Sequence, residues 1–299
     1  MSLTAIRERV SGKWQNTATL WVLLVPAIFL AVMFKFIPLA YGIYFSFHEV
    51  LYSGNQFVGF DNYVDVLTSS GFLAALGHTL LLALVQTTGA VIFGLILAFL
   101  LEGAGFGLWL TRTVVVLPVV TALAVVGEIW RLIYYSDSSG FLNSVLGTFG
   151  LGPFTFLSSP DTALMSIAVV GIWTMAPYNM VIFLAGLAGI DRNLYEAAAM
   201  DGAGTLRRLH SIVIPSLRSS FVIVLTLSAI RALGIFTEVY VLTGGGPASS
   251  TTTWMTQVYT VGFDRSDVGV ASAGSLLLLI VTFTLTVVVR GLSARRRDA

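Results

Sequence analysis

With 299 residues, a mean hydropathy of +0.88, 56% apolar residues and only 10% charged ones, this chain is not an ordinary soluble domain, where about a quarter of residues carry charge. Cysteine is absent, which excludes a disulfide framework, a thiol nucleophile and a Cys-based metal site. The net charge of +1 says little about partners, because the charges are segregated along the chain; no nucleic-acid partner is expected.

Apolar runs of about 20 residues, enough to cross a ~30 Å hydrocarbon core as helix, are predicted near 19–42, 76–101, 109–133, 163–189, 219–242 and 269–291. The first run is too long for a cleavable leader, and no small-residue cleavage site follows it. Between the runs, 48–75 and 139–151 suggest short amphipathic pieces lying on one membrane surface. No linker, low-complexity tract or internal repeat divides the sequence, so residues 1–299 are expected to form a single domain. The predicted fold class is an all-α integral membrane protein with six transmembrane helices.

Orientation follows from the basic residues, which concentrate on the cytosolic side of short loops. Arg7, Arg9 and Lys13 precede the first run, Arg112 follows the second, and Arg192, Arg207, Arg208 and Arg218 lie between the fourth and fifth. Arg290, Arg295, Arg296 and Arg297 end the chain, whereas the alternate loops hold only Arg265. Both termini and the 190–217 loop are therefore expected in the cytosol.

That loop is the most organised polar stretch. Asp191 suits the N-cap of a short helix through Leu194-Tyr195-Glu196-Ala-Ala-Ala. The small face of Ala197, Ala198 and Ala199 admits a close neighbour, and Gly202 and Gly204 permit a sharp reversal at Asp201-Gly202-Ala203. Thr205 is placed to cap a second helix carrying Arg207, Arg208 and Ser211, which Pro215 stops or bends. Two short helices joined by a glycine turn would make a knob at the bilayer surface.

The order Glu196-Ala-Ala, Asp201-Gly202-Ala203, Ile212-x-Ile214-Pro215 resembles the EAA motif of membrane-spanning subunits of binding-protein-dependent ABC importers. Phe57-Val-Gly-Phe-Asp61-Asn62-Tyr63, Gly140-Phe-Leu-Asn143 and Thr243-Gly-Gly-Gly246-Pro247 with Thr251 and Tyr259 resemble further stretches of that family, in its order, over residues 20–290. The best likeness is to the sugar-type permeases of the maltose and glycerol-phosphate transporters. The resemblance implies a type I ABC importer permease fold in a bacterial inner or plasma membrane. It implies a coupling loop at 190–217, with Glu196, Ala197, Ala198, Asp201, Gly202, Ala203, Arg207, Arg208 and Pro215 against an ATPase. It implies a second homologous permease subunit, an ATP-binding cassette ATPase dimer, an extracytoplasmic solute-binding protein and a sugar-like substrate as partners. It also places Tyr178, Ser228, Arg231, Ala232 and Ile235 along the substrate pathway.

The residues support a non-catalytic subunit. No GxxxxGK[ST] loop occurs, and Lys13 and Lys35 lie outside any glycine-rich cradle, so ATP and Mg²⁺ are expected on partner subunits, with no cofactor on this chain. His48, His78 and His210 show no metal-ligand spacing. An ion-coupled secondary transporter is the alternative, but it calls for a self-contained site and often repeated halves with broken helices. A membrane enzyme would need a nucleophile–base set at one depth. Within the runs, Lys35 is placed to snorkel, and Glu128 and Arg131 to pair three residues apart. Arg231 falls near the middle of the fifth run, with Glu238, the sixth residue expected along the pathway, two helical turns later to balance it. Trp173, Tyr178, Asn179, Phe236 and Tyr240 suggest stacking and donor groups for a sugar ring.

Overall fold

The computed structural model describes residues 21–51 and 53–295. The expected cytosolic residues Arg7, Arg9, Lys13, Arg296 and Arg297 lie outside that range. The chain opens with α1 (Trp21–Ser46), interrupted by a π-helical stretch at Val32–Phe36. A hairpin of β1 (His48–Leu51) and β2 (Gly54–Phe57) follows, then α2 (Asp61–Thr68) and the 31-residue α3 (Ser70–Leu100). Next come α4 (Phe106–Val120), α5 (Leu123–Ile133), α6 (Phe141–Gly147) and the 29-residue α7 (Pro160–Ala188).

Two short helices, α8 (Arg192–Met200) and α9 (Thr205–Arg208), lead through a π turn at Leu209–Val213 into α10 (Ile214–Ser216). The chain then forms α11 (Arg218–Leu233), α12 (Thr237–Leu242), α13 (Trp254–Tyr259), a π turn at Thr260–Asp264 and α14 (Val268–Arg295).

The centre of the bundle is α7 against α3. Helices that are apolar on all sides have no water-driven reason to associate in lipid, so close backbone approach decides the pairing. A Cβ on Gly94 of α3 would lie 2.9 Å from the Ala176 carbonyl of α7, and one on Gly89 would strike Ile172. Three apolar clusters stack along α3: Phe72 with Val66, Trp254 and Ala273; Leu82 with Ile167, Ile235 and Val239; Val91 and Ala98 with Met180, Phe183 and Leu217. In contrast, α1 buries almost nothing within this chain. Its apolar surface is left to lipid or to another subunit.

Two expected spans are not straight. The 109–133 run is divided into α4 and α5, which meet at 101°. Pro118 removes a helical amide hydrogen bond, and Thr121 and Ala122 adopt extended backbone conformations at the corner. The 219–242 run ends as a helix at Leu233 and restarts at Thr237, with the Thr253 hydroxyl donating to the freed Ile235 carbonyl at 3.2 Å. Below it, Leu209–Ser216 meets α11 at 55°. Among the described residues, four helices are long and apolar enough to cross a membrane unaided; the number rises to six if each of these two bent pairs is one span.

The helical fold carries one short exception. Residues 48–57 form an antiparallel hairpin, with His48 opposite Phe57 and Leu51 opposite Gly54. Asparagines fix the two loop stretches noted in the sequence. Buried Asn62 donates to the carbonyls of Ser46 and His48 at 3.0 and 3.1 Å. Buried Asn143 donates to those of Tyr135, Asp137 and Phe154 and accepts from the Phe154 amide. A single amide thus satisfies several backbone groups that a loop would otherwise leave unpaired.

Candidate functional sites: a two-helix loop and a broken span

The 190–217 loop has the two-helix form its residues call for. Asp191 caps α8, its carboxylate accepting from the Asn193 amide at 2.9 Å. The helix ends with Gly202 at φ +71°, while the Gly202 amide donates to Ala199 and the Ala203 amide to Ala198. That pair of bonds is the Schellman closure, which places glycine in the left-handed position. Thr205 is not the cap of the second helix. The Arg208 amide donates to the Gly204 carbonyl, which makes Thr205 the first helical residue.

The loop residues divide into two groups. Glu196, Ala197, Asp201, Gly202, Arg207 and Pro215 are exposed, and Met200 at the tip is 89% exposed. Ala198 is half-buried and Ala203 buried. Arg208 is half-buried, its Nε donating to the Ala203 carbonyl at 2.7 Å, so it clamps the reversal.

The sequence reading missed two supports beneath this loop. Tyr195 packs against the apolar cluster that includes Leu101 and Leu217. Burial raises its phenol pKa, and the Glu102 carboxylate adds to the rise, which places α8 beside the 101–105 turn. Arg112, counted in the sequence only as a topological charge, donates to the carbonyls of Leu101 (2.8 Å) and Gly103 (2.6 Å) and so holds that turn. No sequence signal marked Arg112 for this role.

The six expected pathway residues do not share one surface. Ser228 is buried and exchanges hydrogen bonds with Asn179 at 3.1 and 3.2 Å, tying α11 to α7. Ala232 and Ile235 are buried as well. These three side chains are buried within the chain. Tyr178 is exposed, and the Arg231 side chain is 39% exposed.

Glu238 is buried and lies 3.6 Å from the Arg231 guanidinium. The pairing follows the expectation but not its geometry. Arg231 stands in the last turn of α11, and the chain breaks and restarts before Glu238, so the two are not successive turns of one helix. Glu128 and Arg131 do pair along α5, at 2.9 Å.

The aromatic groups also separate. Trp173 meets Trp130 edge-on at 5.6 Å, whereas Phe236, Tyr240, Tyr259 and Phe263 form a ladder with centroids 4.9 to 5.2 Å apart. Among the described residues, no group of His, Asp and Glu is arranged to hold a metal.

Residues 90–298 match the family described as the binding-protein-dependent transport system inner membrane component. The trehalose/maltose transport system permease protein MalF of Thermococcus litoralis is 30% identical over 288 residues, covering 96% of this chain and 97% of that protein. The sulfoquinovosyl glycerol transport system permease protein SmoG of Agrobacterium fabrum is 34% identical over 271 residues, with 89% and 87% covered. The fold is similar to that of a chain in a bacterial ABC transporter involved in import of the acidic polysaccharide alginate. The TM-score is 0.82 at 23% identity, over 96% of this chain and 99% of that one.

Proposed function

This chain belongs to the binding-protein-dependent transport system inner membrane components, and on that premise we propose that it forms one half of an importer's pathway for a sugar or sugar-like solute. In this reading each bent pair is one span, giving six, and both termini face the cytosol. The α8–α10 loop docks on an ATPase dimer that carries ATP and Mg²⁺, a second homologous permease completes the pathway, and an extracytoplasmic binding protein delivers the solute. The observation that carries the reading is the loop itself. Its backbone is closed by its own Schellman bonds and the Arg208 clamp, while Glu196, Met200, Asp201 and Arg207 remain outside. A polar knob already satisfied within the chain and held between two membrane-embedded helices offers a rigid surface to a soluble partner. The sugar assignment draws on the named substrates of the relatives, with Tyr178 and Arg231 as the accessible pathway side chains.

Orientation and assembly can be tested on one preparation, because the chain has no cysteine of its own. Single cysteines at Ser2 and Ser293 should resist an impermeant thiol reagent in intact cells, and one at Ser249 should react. Purification through a tag on this chain should bring down a second permease and an ATPase. Labelling at Ser2 with protection at Ser249 would invert the orientation, and recovery of the chain alone would contradict the importer assignment.

A further inference from the structure

A cleft of about 590 Å³ lies between the C-terminal end of α5, the 157–158 segment and the 242–247 turn. It falls within the ~300–1,000 Å³ typical of small-ligand sites. In the orientation given above it opens on the side from which solute arrives. Its rim is held in place by bonds among its own groups. The Ser136 hydroxyl contacts that of Ser158 at 2.7 Å and donates to the Thr155 carbonyl at 2.9 Å. On the facing wall the Thr243 and Thr251 hydroxyls meet at 2.7 Å. With those groups engaged, three exposed lining side chains remain to meet a ligand: Arg131, Tyr135 and Asp137. They comprise a donor, an aromatic face and an acceptor, which is the set that a polyhydroxylated ring requires.

The charges decide which ring. Arg131 is already paired with Glu128 at 2.9 Å. The Asp137 carboxyl is held below the usual carboxylate range by the Ser138 hydroxyl and the Ser139 amide, so it is ionised at neutral pH. Arg131 and Asp137 line the cleft while Glu128, outside the lining, already neutralises Arg131, so the three groups leave one net negative charge, which disfavours an anionic solute. Arg231, deeper along the chain, is likewise matched by Glu238. Both arginines that could mark a route for anions are already partnered by carboxylates.

We propose that this cleft is an entrance subsite that holds one neutral sugar ring, with Arg131 donating, Asp137 accepting and Tyr135 supplying the apolar face. The proposal rests on the importer reading and adds to it a site and a charge class of substrate.

The test is uptake into proteoliposomes that contain the complete transporter, with its cognate binding protein. One probe set is neutral (trehalose, maltose, raffinose) and the other anionic (glycerol 3-phosphate, trigalacturonate). Neutral probes should enter and anionic ones should not. Asp137→Asn should raise the half-saturating concentration about tenfold, the size of one charge-assisted hydrogen bond, with the maximal rate within about twofold. Asp137→Glu should restore most of that loss. Glu128→Gln combined with Asp137→Asn, which leaves Arg131 unpaired, should lower the ratio of neutral to anionic uptake. Entry of anionic probes alone, or variants that leave both the half-saturating concentration and that ratio unchanged, would overturn the subsite while leaving the importer reading intact. ATP hydrolysis with no uptake from either set would overturn the importer reading, and the subsite with it.

Discussion

Replacing Gly202 with tryptophan is expected to leave the chain inserted and folded while lowering transport by about thirtyfold, the size of one interface hot spot of about 2 kcal/mol. Gly202 sits at φ +71°, where an L side chain costs about 1–2 kcal/mol, yet an added Cβ would meet nothing within 4 Å. The chain itself therefore has room for a large group, and any steric loss must come from what docks there. Asparagine, which tolerates the left-handed region, provides the control. Gly202→Asn should retain most transport, whereas Gly202→Trp should hydrolyse ATP while moving little solute, or bind the ATPase weakly. Equal transport by the two variants would mean that no partner approaches the reversal.

Arg231→Ala should act on both stability and uptake. It leaves the buried Glu238 carboxylate without its cation, and stranding one member of a buried pair costs about 3–5 kcal/mol. The partial exposure of Arg231 and the 3.6 Å separation bring the effect below that range, to about 2–3 kcal/mol. The single variant should therefore assemble poorly. Arg231→Ala with Glu238→Gln removes the stranded charge and should recover assembly, with uptake still at least about tenfold below wild type because the donor fork is gone. Arg231→Lys should assemble normally and transport weakly, since a point charge does not reproduce the planar fork. Full uptake by the double variant would reduce Arg231 to a counter-ion for Glu238.

The parts of this molecule that were legible in the sequence are those set by local chemistry. Asp191, Gly202 and the alanines between them encode a cap, a left-handed closure and a helix within a dozen residues, and the structure forms them as read. Four long apolar helices were legible because long apolar runs have few alternatives. The bends were not. Apolar composition continues unbroken through Thr121-Ala122, and only Pro118 hints at the corner. At Gly234 the break depends on Thr253, about 20 residues away, accepting the task of satisfying the Ile235 carbonyl. Burial of Ser228, Ala232 and Ile235 is likewise a product of α3 and α7 packing against this stretch of the chain, which no residue-by-residue pattern carries. Arg112 and Arg208 show the same limit for charge: a count assigns them a side of the membrane, while the structure uses both to hold backbone carbonyls.

The central claim is that the 190–217 loop is the contact with an ATPase. Met200, 89% exposed at the tip of α8, is the position from which to ask. A photo-crosslinking amino acid placed at Met200 in the assembled transporter should, on irradiation, join this chain to the nucleotide-binding subunit. Crosslinks only to lipid, to the second permease or to nothing, in a preparation that still hydrolyses ATP and transports solute, would contradict the account.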